Sequence, residues 1–390
     1  MSRSVTGGRL GARMRIGVDL TFFTGTRGGS ETYVRDLYTS LIPAHPEAQF
    51  VGIVSSSCSR SVSAWFPGEI TATRIGGTSS LRWALAESLA VRRLSRRLGL
   101  DLLHCPVNLA PPRATSMPVV LTLHDVNAFR AKPTPTTLAT RACIKRSFLV
   151  ADSVITDSQW SADEIRRLLP PSSAPITVIP PIGHFSANRD SAHDDVARPQ
   201  FLEGVRADRP IVFAGGNRLP HKNWDNLLHA LDRIPSVERP ALVLTGHGGA
   251  KDPVAATCGR LRLEQDVVLT GWTSTADMEW LYRHAALYVL PTRYEGFGLG
   301  VLEAMSRGCP VLASDISVLR EVGGGAVEYV DSTDPAAMAT AIARLLRDPS
   351  RLEQLAQAGL GRAAEFSPLD TTTRTWDVFV DALESAAVSS

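Results

Sequence analysis

Residues 287–314, LYVLPTRYEGFGLGVLEAMSRGCPVLAS, constrain the fold more than any other stretch of the chain. Leu287-Tyr-Val-Leu290 is an apolar run of strand length. Glu295-Gly-Phe-Gly-Leu-Gly300 is a glycine-rich loop, residues 301–305 begin a helix, and residues 309–314 form a second strand after Gly308. Strand, loop, helix and strand make one βαβ unit. Its loop lies at the carboxyl end of a strand, where open α/β sheets bind ligands.

The loop's chemistry follows from its residue types. Gly296, Gly298 and Gly300 tolerate positive φ and let backbone approach a ligand closely. The helix start offers unpaired N–H groups and a positive dipole end, which together suit a phosphate. Glu295 precedes the helix and Glu303 lies within it. Carboxylates repel phosphate but accept hydrogen bonds from vicinal hydroxyls, so the combination points to phosphate flanked by sugars. The bland alternative is a βαβ turn with one surface and one helical glutamate.

A chain of 390 residues accommodates two or three domains. Charge is unevenly spread: residues 1–190 hold 22 Lys and Arg against 13 Asp and Glu, residues 191–390 hold 19 against 26. A basic first half suits an anionic partner such as a membrane surface or a phosphorylated acceptor, or reflects ordinary surface variation. Five scattered cysteines without a Cys-x-x-Cys pair argue against a disulfide framework and for a reducing, cytoplasmic setting. No apolar run approaches the ~20 residues of a spanning helix. Residues 1–13 have charge but no apolar core, so they read as a disordered extension, not a signal peptide.

Short apolar strands alternate with helix-period segments along the whole chain. Strands are expected at 15–20, 49–55, 70–75, 101–105, 118–124, 153–156 and 176–179, then at 210–214, 241–245, 267–269, 287–290, 310–313 and 327–330. Helices are expected at 31–42, 81–98, 136–150 and 161–169, then at 224–234, 275–284, 301–307, 335–347 and 351–365. The class is therefore α/β, with two doubly wound Rossmann-like domains in series. The first spans 14–183 and the second 210–366. Residues 184–209, rich in Asp, Arg, Ala and Ser, read as a linker, and 367–390 as a final helical segment.

Glu295-Gly-Phe-Gly-Leu, Leu302-Glu303-Ala-Met and Gly308-Cys-Pro-Val together resemble the Glu-x7-Glu signature of retaining family-4 glycosyltransferases, which adopt the GT-B fold. The resemblance implies two domains facing a cleft, with the last helix crossing back to the first domain. It implies a donor-sugar contact at Glu295, a ribose contact at Glu303, and diphosphate contacts from the amides of Gly296, Phe297, Gly298 and Leu299. Gly300 departs from the pattern, which often has Pro there. The likeness runs from Met14 through nearly the whole chain and is strongest over 210–330.

Other segments extend it. Phe213-Ala-Gly-Gly-Asn-Arg-Leu-Pro-His-Lys-Asn223 is similar to the family's Pro-x-Lys-Asn motif, whose Lys binds the donor phosphates, here Lys222. The family's preceding Arg position is Asn217, with Arg218 one residue on. Gly28-Gly29 resembles the N-terminal loop that touches donor phosphate and acceptor; the plain alternative is a capped βα loop. His124-Asp125 matches a pair in which the His sits by the donor sugar and the Asp near the acceptor, although a lone His at a strand end is usually structural. Asp157-Ser-Gln-Trp-Ser161 resembles a Ser-rich helix start, and capping accounts for it.

Arg92, Arg93, Arg96 and Arg97 share one helix face, the pattern of a membrane-surface helix or of a plain solvated face. No Asp-x-Asp pair is present, so no metal is expected and the leaving group's charge falls to Lys222, Arg218 and a helix dipole. The expectation is a retaining hexosyltransferase, mannosyl-type favoured, with no cofactor beyond its nucleotide-diphosphate-sugar co-substrate. GDP-mannose is favoured over UDP- or dTDP-sugars. The acceptor is a glycan, a lipid-linked glycan or a small molecule, and no nucleic-acid partner is expected. Trp272 lies either near the base or in the core. The alternatives are a GT-B nucleotide-sugar epimerase and a non-catalytic GT-B partner protein.

Overall fold

The computed structural model describes residues 14–25, 28–73, 91–111, 117–182, 197–216, 218–246 and 252–388. The chain forms two compact units. One runs to Ile182 and takes up the chain again from Pro368; the other is Gly183–Ser367.

The first unit holds a seven-stranded sheet of β1 (Arg15–Leu20), β2 (Gln49–Ser55), β3 (Glu69–Thr73), β4 (Leu102–Cys105), β5 (Val119–Thr122), β6 (Ser153–Thr156) and β7 (Ile176–Val178). Its order is β3-β2-β1-β4-β5-β6-β7, and every pair is parallel. The second unit holds β8 (Ile211–Ala214), β9 (Ala241–Thr245), β10 (Val267–Gly271), β11 (Leu287–Leu290), β12 (Val311–Ser314) and β13 (Glu328–Val330). They run parallel in the order β10-β9-β8-β11-β12-β13.

Parallel sheets are covered on both faces, so their strands are apolar throughout. Successive side chains go to opposite layers. Leu102, Val120 and Ile155 enter one apolar cluster, whereas Leu103, Leu121 and Val154 enter another. Helices bury one stripe instead: Trp224, Leu227, Leu228 and Leu231 line the inner face of Trp224–Arg233. Local capping sets many helix starts. Ser274 and Asp277 form a capping box, and Asp252, Asp334 and Asp348 each cap a helix that opens with Pro.

The last helix, Pro368–Val388, belongs to the first unit. Its Val378, Phe379 and Ala382 share a core with Val18 of β1 and with Leu37 of the helix Gly29–Ala44. Thr371 Oγ1 donates to the Pro180 carbonyl at 2.9 Å, and Trp376 stacks on His45 at 3.8 Å.

Boundaries moved where loop geometry overrides periodicity. The expected helix at 301–307 is Leu299–Ser306, because Gly298 turns the chain with φ 99°. β5 ends at Thr122, so His124 lies on the loop beyond it. Helices Ser59–Ser63, Pro253–Arg260 and Ser317–Gly323 had no counterpart in the periodic pattern. Residues 197–209, part of the stretch read as a linker, pack on the second unit. Leu202 is fully buried, and Arg209 donates to the carbonyls of Arg239, Pro240 and Gln265. The expected extension at 1–13 lies outside the described residues, as do 184–196 of the linker. Of the expected helix at 81–98, residues 81–90 are outside too, and Arg92–Arg97 is helical. Among the described residues, no helix is long and apolar enough to cross a membrane.

Phe379 is fully buried, with its ring 5.0 Å from that of His104. Phe379→Ala should destabilise the first unit by about 3–5 kcal/mol. In scanning calorimetry its transition should drop while that of the second unit stays in place; equal shifts of both would contradict the helix's assignment to one unit.

Candidate functional site

In a doubly wound sheet, ligands bind where the strand order reverses, beyond the strands' carboxyl ends. In the second unit that point lies between β8 and β11, which pair directly. The loops leaving them carry Lys222 and Glu295.

These two side chains meet. Lys222 Nζ donates to Glu295 Oε1 at 2.5 Å, and their side chains are only 19% and 13% exposed. Flanking residues lock the loops together. The His221 ring stacks on Tyr294 at 4.7 Å, and the His221 carbonyl accepts from the Arg293 amide and the Thr292 hydroxyl. Burial and the neighbouring Lys222 charge push the His221 imidazole below its usual value. Asn223 adopts φ 61°, which Asn tolerates better than most residues. Its Nδ2 donates to the carbonyls of Pro291 and Ser332, at 3.0 and 2.8 Å, and its Oδ1 accepts from Arg293.

Beyond Glu295 the loop turns inward. Phe297 is buried edge-on against Phe366, with centroids 5.8 Å apart. Gly298 begins the helix Leu299–Ser306 and, having no side chain, gives its first-turn amides no side-chain cap. A Cβ on Gly300 would overlap the Tyr288 hydroxyl, which explains why this position departs from Pro. Glu303 lies one turn into the helix, and its Oε2 accepts from the Tyr282 hydroxyl at 2.8 Å. Burial and that carboxylate keep the Tyr282 phenol well above its usual value. Tyr282, Phe213 and Tyr288 pack as an aromatic trio.

Arg218 is turned away to another task. Its Nε pairs with Asp252 at 3.1 Å, and its two Nη atoms donate to the carbonyls of Thr245 and Leu244 at the end of β9. Asn217 lies outside the described residues. Trp272 is 51% exposed at the end of β10, which removes it from the core.

In the first unit, Gly28 precedes the helix Gly29–Ala44, and a Cβ on it would meet nothing within 4 Å, so the space beside it is open. Glu31, in the first turn, folds back: its Oε1 accepts from the amide and hydroxyl of Thr24, both at 2.7 Å. His124 Nδ1 lies 2.8 Å from Asp157 Oδ2, and Nε2 lies 3.0 Å from the Pro106 carbonyl. Burial opposes the charged ring, but the Asp157 carboxylate, with help from Asp125 and the Pro106 carbonyl, raises it above its usual value. Asp125 Oδ1 accepts from the Asn127 amide at 2.7 Å. Below this pair lies His104, fully buried between the hydroxyls of Tyr38 at 2.5 Å and Thr122 at 2.8 Å. Burial, then the nearby His124, pushes it down to about 3.

Asp157 was visible only as part of a helix start, and Tyr282 and Glu31 were not singled out, since each acts through a partner at least six residues away. Asn223 was visible inside a motif, but its clamping role was not.

The chain belongs to the family described as glycosyl transferases group 1, whose pattern matches residues 200–362; residues 27–182 match that of glycosyltransferase family 4. It is 30% identical over 267 residues to the O-antigen chain mannosyltransferase B of Escherichia coli, covering 67% of this chain and 69% of that one. Its fold is similar to sucrose-phosphate synthase from Thermosynechococcus elongatus, with TM-score 0.75 and 19% identity over 96% of this chain and 100% of that one. Anabaena Alr3699/HepE in complex with UDP-glucose matches with TM-score 0.71 and 17% identity, over 94% and 100%. The two parallel sheets are those of the GT-B fold.

Two predictions follow from the clamp and the buried imidazole. Asn223→Ala should destabilise the second unit by about 2–4 kcal/mol: the Pro291 carbonyl and Arg293 each lose a partner, the Ser332 carbonyl keeps Asn226, and a strained φ remains. Asn223→Gly, which relieves the strain, should lose less in urea denaturation. His104 is neutral when folded but takes a proton near its ordinary 6.5 when unfolded. Its contribution is therefore present above 6.5 and is lost as pH falls toward about 3. His124, raised, has the opposite sign: its contribution is present below 6.5 and is lost as pH rises through its folded value. Melting temperature should drop less between neutral and acid pH in His104→Gln than in the wild type.

Proposed function

We propose that the chain is a retaining glycosyltransferase that moves a hexosyl group, mannosyl favoured, from a nucleoside-diphosphate sugar to a glycan, glycolipid or small-molecule acceptor without a bound metal. One observation carries this: the switch point of the second sheet gathers a lysine and two glutamates around an uncapped helix start. A diphosphate carries more negative charge than one carboxylate, so it can draw Lys222 from Glu295 while the amides at Gly298 and Leu299 take its oxygens. Glu295, released, accepts from hydroxyls of the donor sugar. Glu303, oriented by Tyr282, accepts from the ribose.

In the reaction, the bond from the anomeric carbon to the phosphate oxygen breaks and a bond to the acceptor oxygen forms on the same face. The acceptor's proton passes to the departing phosphate. Lys222 and the helix start stabilise the leaving diphosphate electrostatically. Gly28 and Gly29 offer open backbone to a phosphate or acceptor, and His124 and Asp125 serve the first domain's side of the reaction. Arg218 keeps the end of β9 in place and contributes indirectly.

The named activity of the E. coli relative supports a mannosyl donor, and the UDP-glucose held by the Anabaena protein keeps UDP-sugars as the main competitor. Five free thiols suit a reducing, cytoplasmic setting. Exposed Arg93, Arg96 and Arg97 are the residues through which an anionic membrane surface would be met.

Lys222→Ala and Glu303→Ala should each lower transfer by about 100-fold or more, with circular dichroism unchanged. Glu295→Gln should also lose transfer, yet bind a nucleoside diphosphate more tightly by calorimetry, because Lys222 loses its competing carboxylate. Thermal shifts with GDP, UDP, dTDP and ADP identify the base. Full transfer in Lys222→Ala or Glu303→Ala would overturn the assignment, and product from the donor without acceptor would point to an epimerase.

A further inference from the structure

The first unit buries two histidines whose partners differ in kind. His104 sits between two hydroxyls, each able to donate or accept, so a neutral ring satisfies both. His124 sits between a carboxylate oxygen and a backbone carbonyl, which only accept. A neutral imidazole has one N–H and leaves one of these contacts without a proton. The imidazolium donates to both.

The surroundings favour the same state. Asp157 is 5% exposed, and its second oxygen, Oδ1, is buried with no hydrogen-bond partner. A buried carboxylate so poorly served by hydrogen bonds needs a cation beside it. Among the described residues, the other groups facing His124 are neutral or add negative charge. Asp125 is a second carboxylate next in the chain. From the helix Gly29–Ala44, Tyr33 packs edge-on, 4.6 Å between ring centroids, as a phenol kept protonated by burial and by Asp157. From β4, His104 stays uncharged. The ring is also held from behind: the Asn108 side chain accepts from the His124 amide at 2.9 Å, and the Ser161 hydroxyl donates to its carbonyl at 3.3 Å.

We propose that Asp157 is a positioning residue that holds His124 as an imidazolium, so that the first domain carries a cation beyond β5 under conditions where an isolated histidine would give up its proton. Asp157 precedes Ser158, the cap of the helix Gln159–Leu168, so the stretch does two jobs: Ser158 closes the helix and Asp157 charges the neighbouring loop. The catalytic consequence rests on the proposed glycosyl transfer. A charged ring on the loop beyond β5 favours negative charge developing on whatever part of the substrates that loop meets, and it does so to higher pH than an isolated histidine would.

The test reads charge and catalysis separately. In imidazole ¹⁵N spectra of the full chain, the His124 signal, assigned by its loss in His124→Gln, should titrate above 6.5 in the wild type and below it in Asp157→Asn. With GDP-mannose or UDP-glucose as donor and pH varied between about 6 and 8, the decline of wild-type transfer should come at higher pH than that of Asp157→Asn. Asp157→Asn should lose about tenfold over that interval as its histidine gives up its proton. Asp157→Glu should restore the wild-type profile. A uniform loss at every pH in Asp157→Asn would mark a merely structural role. Titration of wild-type His124 at or below 6.5 overturns the proposal even where the variants fail to fold. If neither donor is turned over, the spectra still decide the charge state, and it is the transfer assignment that fails.

Discussion

Parallel strands cannot be joined by tight hairpins, so every connection in both sheets is a crossover. Where the strand order reverses, between β1 and β4 and between β8 and β11, adjacent strands send their crossovers to opposite faces and the loops part. That geometric necessity opens the second unit's crevice and decides what lines it. β8 and β11 pair, so the loops after them are neighbours, and Lys222 and Glu295 come together from positions 73 apart. The rest of the site elaborates this junction. Asn223 ties the two loops, Phe297 anchors the second, and Gly298 turns it into a helix.

Charge in such a crevice must be matched. With both side chains largely screened from water, separating Lys222 from Glu295 without a substitute would strand a charge at a cost of about 3–5 kcal/mol. Under the proposed function, the pair is a resting arrangement that a ligand with complementary groups replaces: phosphate for the lysine, hydroxyls for the glutamate. Arg218 is matched differently, to Asp252 and two backbone carbonyls, and so belongs to the scaffold. Two basic residues four apart in sequence have separate tasks because one faces the switch point and the other faces β9.

Histidine shows the same rule. His104 and His124 lie on neighbouring parallel strands or their ends, yet partners that can donate leave one neutral, and partners that only accept hold the other charged. Composition cannot distinguish them. What separates them is which atoms the fold carries to each ring.

Strand positions were legible in sequence because burial on both faces makes a parallel strand a short apolar run: β1, β2, β6, β9 and β11 lie where the pattern placed them. The glycine loop and its two glutamates were legible because close backbone approach demands glycine and leaves a signature. Helices such as Ser317–Gly323 were not, being too short for periodicity to register. Nor were the pairings. Tyr282 to Glu303, Asp157 to His124 and Arg218 to Asp252 join residues 21, 33 and 34 apart. By itself the sequence determined the class of fold, the rhythm of its strands and the position of the glycine-rich loop between β11 and its helix, since these depend on local sterics and burial. Which charges meet, which histidine keeps its proton and which arginine is used up in bracing were decided only by tertiary structure, because electrostatic partners are chosen by proximity in space.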